Sequence, residues 1–342
     1  MAEAMQALVV ARYDGRLELA DRPVPRPGPG EALVRVRASG LCGTDLHLLS
    51  GRMSLGALPR ILGHETAGDV VELGHAAADW TVGDRVVVAI DVVCGRCRHC
   101  LGGQTQRCTA MRRIGFERDG GHAEYVAVPA ANLIKLPDSL SYEAAAILPD
   151  AVACMYHSLI CRGRVRPDQT VLILGAGGLG IHGVQVARWA GASVIATSRR
   201  AERLRMAEQH GAIAVNPATQ SLRDVVMECT RGEGVDVVVD NVGTRTSVRE
   251  ALTLLCPGGK LLVVAYLDET FEVPAIPLFK PEREIIGCRG ASKQDLVDVV
   301  QLTAAGRLEP VIGARYPLDE ADAAVERLAA GDVVGRIVLT RT

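Results

Sequence analysis

The stretch Thr170-Val-Leu-Ile-Leu-Gly-Ala-Gly-Gly-Leu-Gly180 sets an aliphatic run directly before Gly175-x-Gly177-x-x-Gly180, and a helical pattern follows over residues 181–190. Such a run reads as a buried strand, and the glycines permit a tight turn into the helix. They also let a pyrophosphate approach the helix N-terminus, whose amides favour negative charge. A bare glycine motif says little, but a strand, this turn and a helix in sequence form a dinucleotide-binding fingerprint that a flexible linker or core glycines do not explain. Gly178 and Leu179 complete the loop.

Outward from this motif, further apolar runs at 193–197, 235–240 and 260–265 alternate with helical patterns. That alternation predicts βαβ units around a buried parallel sheet, a doubly wound α/β domain over 151–290. The last segment, 291–342, reads as an amphipathic helix, an extended piece and a terminal strand, Arg336-Ile-Val-Leu-Thr340. Dinucleotide sites selective for NAD carry an acidic residue about twenty positions past the glycines, at the end of the second strand. Ser198-Arg-Arg200 stands there instead. The missing carboxylate and a pairing of Arg199 or Arg200 with a 2′-phosphate predict NADP in preference to NAD.

Residues 1–150 have a different texture: short β-rich runs such as Ala32-Leu-Val-Arg-Val-Arg37 and Arg85-Val-Val-Val-Ala-Ile90, broken by Gly and Pro. They predict an irregular antiparallel domain, with the proline-rich stretch 21–30 as a surface loop. With 38 Lys and Arg against 40 Asp and Glu in 342 residues, the net charge is −2, too little positive charge to grip nucleic acid or an anionic membrane surface. Residues 1–10 lack the basic segment and apolar core of a secretion signal, so the expected location is the cytoplasm.

Ten cysteines are many for a reducing compartment, where metal binding is the first use to test. Cys94, Cys97, Cys100 and Cys108 form C-x2-C-x2-C-x7-C in a short glycine-containing loop, so four soft thiolates can converge on one tetrahedral ion. Zinc suits them, and an iron–sulfur cluster would use the same donors. Four thiolates close the shell, so that ion is structural. Upstream, Cys42-Gly-Thr-Asp-Leu-His47 and Gly63-His-Glu65 supply a thiolate and an imidazole, donor types of a catalytic zinc with an open position.

The cysteine ladder, the Cys-x-Thr-Asp-x-His run, Gly-His-Glu and the glycine-rich strand-turn-helix stand in the order and spacing of the zinc-containing medium-chain alcohol dehydrogenases, which this chain resembles over nearly its whole length. The resemblance implies a Rossmann cofactor domain, a GroES-like catalytic domain and two Zn2+ ions per subunit. It makes Cys42 and His64 ligands of the catalytic zinc, with Glu65 beside it, entering the shell when water or substrate leaves. Asp45 would hold the ligand histidine. The commonest family pattern has a third ligand Cys six residues before a Tyr at the start of a helix, and counting back from Tyr156 gives Asp150. Polyol, glucose and threonine dehydrogenases of the family use a carboxylate there. The alternatives are that Asp150 caps a helix starting near Ala151, or that Cys154 is the ligand.

By the same resemblance the Thr44 hydroxyl takes the alcohol proton and passes it through the cofactor ribose to His47, and Arg336 reaches the cofactor pyrophosphate. The implied activity is reversible hydride transfer between a small-molecule alcohol and the nicotinamide of NADP or NAD. The carboxylate ligand and the 3% aromatic content favour a polyol, sugar-like or aminocyclitol substrate. A homo-oligomer is implied, a tetramer before a dimer. Two rivals are a zinc-free enoyl or quinone reductase, which would lack the ligand sets, and a non-enzymatic zinc module, which has no use for Cys42, His64, Thr44 or a dinucleotide fold.

Overall fold

The computed structural model describes residues 3–266 and 270–341; Met1 and Ala2 of the N-terminal segment and Thr342 of the last one lie outside the described residues. Two compact units emerge. One holds the chain up to Ala151, Ala291–Gly306 and the stretch from Pro310 on; the other holds Val152–Gly290 and Arg307–Glu309.

In the second unit the opening motif becomes the strand Thr170–Leu174 at the centre of a six-stranded sheet. Across the sheet the strands run Ile213–Val215, Ser193–Thr197, Thr170–Leu174, Val235–Asp240, Leu255–Val263 and Glu284–Gly287, every pairing parallel. The strand order therefore reverses between Thr170–Leu174 and Val235–Asp240, the place where doubly wound sheets open a crevice at the carboxyl ends of their strands. Val171, Leu172, Ile173, Val238 and Leu261 are fully buried, as a sheet covered on both faces requires. Each such burial contributes about 1.5–3 kcal/mol before entropy is counted. The turn obeys its glycines: Gly175 has φ +86, and a Cβ on Gly180 would stand 2.0 Å from the Gly175 carbonyl oxygen, so only glycine lets helix Gly180–Trp189 start this close to the strand.

The first unit contains a seven-stranded, mainly antiparallel sheet built on the long strand Glu31–Leu41. That strand pairs antiparallel with Glu65–Leu73 on one edge and with Arg336–Thr340 and Tyr125–Pro129 on the other. Val34, Val70, Val86 and Val128 pack as its dry layer. The expected α/β fold with a parallel sheet and a β-rich partner domain is borne out.

Some elements differ from expectation. The proline-rich stretch begins as strand rather than loop, because Asp21, Arg22 and Pro23 close the strand Glu18–Pro23 and pair with Ala4–Gln6. Pro23 is tolerated at the strand's end, where a missing N–H costs least. The last segment holds a second helix, Ala321–Ala329, that the reading omitted. Among the described residues no helix is long and apolar enough to cross a membrane.

Candidate metal and cofactor sites

The strand Glu31–Leu41 runs out at Cys42, which opens the short helix Gly43–Leu49. Its backbone N–H donates to Asp45 Oδ2 at 2.8 Å, and Thr44 N–H donates to Cys42 Sγ at 3.4 Å. These reciprocal bonds fix the thiol and the carboxylate on the helix's first turn. Gly40 pairs with Glu65 in the antiparallel register, so His64 and Glu65 arrive beside Cys42. Gly40 is required there, because a Cβ would lie 1.8 Å from Glu65 Oε2. Asp150 comes from the wide helical turn Leu148–Val152, inside a helical run and not capping a helix start. Wide turns of this kind recur at functional sites.

Donor atoms of Cys42, His64, Glu65 and Asp150 all lie within 4.8 Å of one another; Cys154 is outside the group. Asp150 Oδ2 is 3.2 Å from Cys42 Sγ and 3.9 Å from His64 Nε2. Tetrahedral zinc with bonds of ~2.0–2.3 Å sets such edges at about 3.4–3.6 Å. Glu65 Oε2 is buried with no hydrogen-bond partner. The donor set of thiolate, imidazole and carboxylates fits zinc. On its far side, His64 Nδ1 faces Asp45 Oδ1 at 3.6 Å, and the His64 ring packs on Phe116 with centroids 5.1 Å apart.

Arg336, which the family resemblance assigns to the cofactor pyrophosphate, also serves the buried cluster. It is buried, and its guanidinium donates to Glu65 Oε1 at 3.0 Å and to Asp150 Oδ2 at 2.6 Å. The strand pairing of Arg336–Thr340 with Glu31–Leu41 carries it there. Burial pushes the Glu65 carboxyl up to about 8 against the pull of Arg336. Burial would push Asp150 up too, but His64 and Arg336 hold it well below the usual carboxylate range. Burial also raises the Cys42 thiol, opposed by the Arg336 charge.

The second cluster is the four-cysteine loop. Cys94, Cys97, Cys100 and Cys108 bring their sulfurs within 4.8 Å of one another, with Cys97–Cys100 at 3.5 Å and Cys94–Cys100 at 4.0 Å. Four thiolates on zinc at ~2.3 Å stand about 3.8 Å apart, so this loop too fits the ion. None of the four is in a disulfide. Backbone N–H groups of Cys100 and Thr109 draw the Cys97 thiol down to about 5, toward the thiolate a metal needs.

In the cofactor unit no side chain caps the N-terminus of Gly180–Trp189, the end that faces the glycine turn. Ser198 follows the strand Ser193–Thr197 and its hydroxyl accepts from Arg200 N–H at 3.1 Å; Arg199 and Arg200 are exposed.

Two family models match the chain, an alcohol dehydrogenase GroES-like domain over residues 28–138 and a zinc-binding dehydrogenase domain over 178–305. An alcohol dehydrogenase of Geobacillus stearothermophilus is 32% identical over 98% of this chain and 99% of its own. The chain belongs to the zinc-type medium-chain dehydrogenase/reductase family. An acryloyl-coenzyme A reductase of Metallosphaera sedula is 31% identical over 98% of this chain and 100% of its own. An NADP-bound structure from Sinorhizobium meliloti 1021, described as a zinc-binding dehydrogenase, superposes with TM-score 0.92 at 33% identity, covering 99% of this chain and 100% of that one. Relatives also include polyol-phosphate and threonine dehydrogenases, so the chain is an oxidoreductase of a zinc- and nicotinamide-using family that acts on CH–OH groups.

Within this dehydrogenase, Thr44 and His47 occupy one helix three residues apart, hence on one face, and Thr44 Oγ1 lies 3.5 Å from Cys42 Sγ. His47 is half-buried, and burial, then the charge of Arg52, lowers its pKa.

The sequence reading missed three residues. Arg203 reaches over the glycine turn, its Nη1 3.7 Å from where a Cβ on Gly177 would stand; its place one turn past Arg199 and Arg200 was the available signal. Asn241 follows the fourth strand, donates its N–H to the Leu174 carbonyl at 3.1 Å and keeps both side-chain amide atoms buried without partners. His122 lies wholly buried behind His64, and no local spacing announces it.

Proposed function

We propose that this dehydrogenase is a zinc-dependent, NADP-preferring alcohol dehydrogenase with a catalytic and a structural zinc in each subunit. The observation that carries the reading is the convergence of Cys42, His64, Glu65 and Asp150 within 4.8 Å in the β-rich unit. Cys42, His64 and Asp150 would hold the catalytic ion with Glu65 beside it, and Cys94, Cys97, Cys100 and Cys108 the structural one. When bound, zinc supplies a Lewis acid for an alcohol oxygen and the nicotinamide supplies the hydride acceptor.

The chain's own residues do the rest. Asp45 orients His64, and Arg336 balances the two buried carboxylates. Thr44 holds the hydroxyl proton of the substrate, and His47, on the same helix face, releases it to solvent. Gly175, Gly177, Gly178, Leu179 and Gly180 cradle the pyrophosphate; Ser198, Arg199 and Arg200 receive a 2′-phosphate where NAD-selective sites carry an acid. The carboxylate at the third ligand position and the low aromatic content favour a polyol, sugar-like or aminocyclitol alcohol. The resemblance to its family favours a homotetramer.

One observation supports a second reading, reduction of an activated carbon–carbon double bond: the Metallosphaera relative is named an acryloyl-coenzyme A reductase. A panel of polar alcohols and an enoyl thioester, each assayed with NADP(H) and NAD(H) by the absorbance of the reduced nicotinamide, separates the two. The proposal expects oxidation of a polar alcohol and a higher kcat/KM with NADP. Turnover of the thioester alone would replace it, and a higher kcat/KM with NAD would reverse the cofactor assignment.

A further inference from the structure

We infer that His122 is a positioning residue of the catalytic metal site, part of a buried chain Ser39–His122–Asp45–His64. The inference rests on the proposed zinc site and extends it two side chains outward. His122 is 0% exposed and lies with Ser39, Asp45 and His64 in one buried layer. Ser39 Oγ is 2.8 Å from His122 Nδ1; His122 Nε2 faces Asp45 Oδ2 at 4.0 Å; Asp45 Oδ1 faces His64 Nδ1 at 3.6 Å.

Three buried polar atoms in this layer, His122 Nε2, Asp45 Oδ1 and His64 Nδ1, have no hydrogen-bond partner; His122 Nε2 faces the other Asp45 oxygen, Oδ2, and Asp45 Oδ1 faces His64 Nδ1. Burial without a partner is unfavourable for each group, so the favoured arrangement turns an N–H on both imidazoles toward the carboxylate between them. An N–H on His122 Nε2 leaves Nδ1 to accept the Ser39 hydroxyl proton. Asp45 is then bonded by the Cys42 backbone N–H at 2.8 Å and faced by an imidazole N–H from His122 on one side and from His64 on the other.

The backbone locks the same parts together. His122 N–H donates to the Leu62 carbonyl at 2.9 Å and Gly121 N–H to the Gly63 carbonyl at 2.7 Å. A Cβ on Gly63 would lie 2.7 Å from His122 Nδ1, so Gly63, with φ +99, lets the residue before the ligand lie against the His122 ring. His122 thus touches the metal site through Asp45 and through the chain that carries His64. Outer partners of this kind typically set 10–100-fold in metal affinity.

The test is competition for zinc by a chromophoric chelator, following both bound zincs in the parent, His122→Phe, His122→Gln and Ser39→Ala. His122→Phe keeps the bulk without the N–H and is expected to weaken the buried zinc about 10–100-fold while the four-cysteine zinc, a control for folding, stays as tight as in the parent. His122→Gln, whose amide can return an N–H near Nε2, is expected to recover most of the loss, and Ser39→Ala to show a smaller loss in the same direction. An unchanged buried zinc in His122→Phe overturns the inference, as does a Gln variant as weak as Phe, which would reduce His122 to packing. If His122→Phe does not fold, an unchanged affinity in Ser39→Ala overturns it. A parent whose zinc content Cys42→Ser does not alter overturns the proposed site together with this inference, whereas two zincs with an indifferent His122 overturn this inference alone.

Discussion

The two metal-type clusters in the β-rich unit share cysteine and little else. The loop of Cys94, Cys97, Cys100 and Cys108 is local and partly exposed; its four donors arise within one turn-rich segment. Cys42, His64, Glu65 and Asp150 come from separated segments, are largely buried, and share Arg336 from the terminal strand. A closed set of identical thiolates can only hold an ion, while a mixed set with an acid to spare can hold an ion and leave a position for chemistry. That difference underlies the roles proposed for the two clusters, and it can be broken.

The largest effect is expected from Cys42→Ser. Losing a Lewis acid that contributes several kcal/mol to the transition state should cut kcat/KM about a thousandfold or more, with circular dichroism unchanged. Cys97→Ser should do the reverse, lowering the midpoint of thermal unfolding while the remaining activity per folded subunit stays near that of the parent. Equal loss of activity in both variants would erase the distinction.

Arg336→Met probes the buried charge that pairs with Glu65 and Asp150. It leaves Glu65 and Asp150 without their shared cation, and breaking such a buried set costs about 3–5 kcal/mol. The denaturant midpoint should fall accordingly, and a variant as stable as the parent would show the ion pairs to be incidental. Gly40→Ala should cost less, about 1–3 kcal/mol, because its Cβ would stand 1.8 Å from Glu65 Oε2 and force that carboxylate aside.

The smallest effect belongs to a charged site of the same unit that carries no ligand set. Burial would raise the Asp69 carboxyl, but the bonds from Tyr142 and Arg37 and the charges of Arg37 and Arg35 together hold it below its ordinary 3.8. A carboxyl with a depressed folded pKa stabilises the protein above its unfolded pKa and loses that contribution as pH falls through the folded value. Tyr142→Phe should therefore cost about 1–2 kcal/mol near neutrality, a difference that holds down to about pH 4 and narrows below it. Neither zinc should leave. A cost that grew with acidity would contradict the assigned sign.

How far the sequence could be read follows the same division. The strands 170–174, 193–197 and 235–240 were legible because a buried parallel sheet writes unbroken apolar runs between glycines. The four-cysteine loop was legible because its spacing is its geometry. Ile213–Val215, three residues long, and the edge strand Glu284–Gly287 carry too short a pattern to separate from a loop. Asp150 could be numbered from the family pattern, but its wide helical turn could not. The cofactor role of Arg336 comes from the family resemblance, whereas its bonds to Glu65 and Asp150 depend on strand pairing across most of the chain. His122 was missed for the same reason, since only the fold puts it behind His64.

The most direct test of this division is the zinc content per subunit of the parent, Cys42→Ser and Cys97→Ser, measured by elemental analysis on the same preparations used for activity. The account predicts two zincs in the parent and one in each variant, with turnover lost in Cys42→Ser and retained in Cys97→Ser. A parent with a single zinc that Cys42→Ser leaves in place would contradict it.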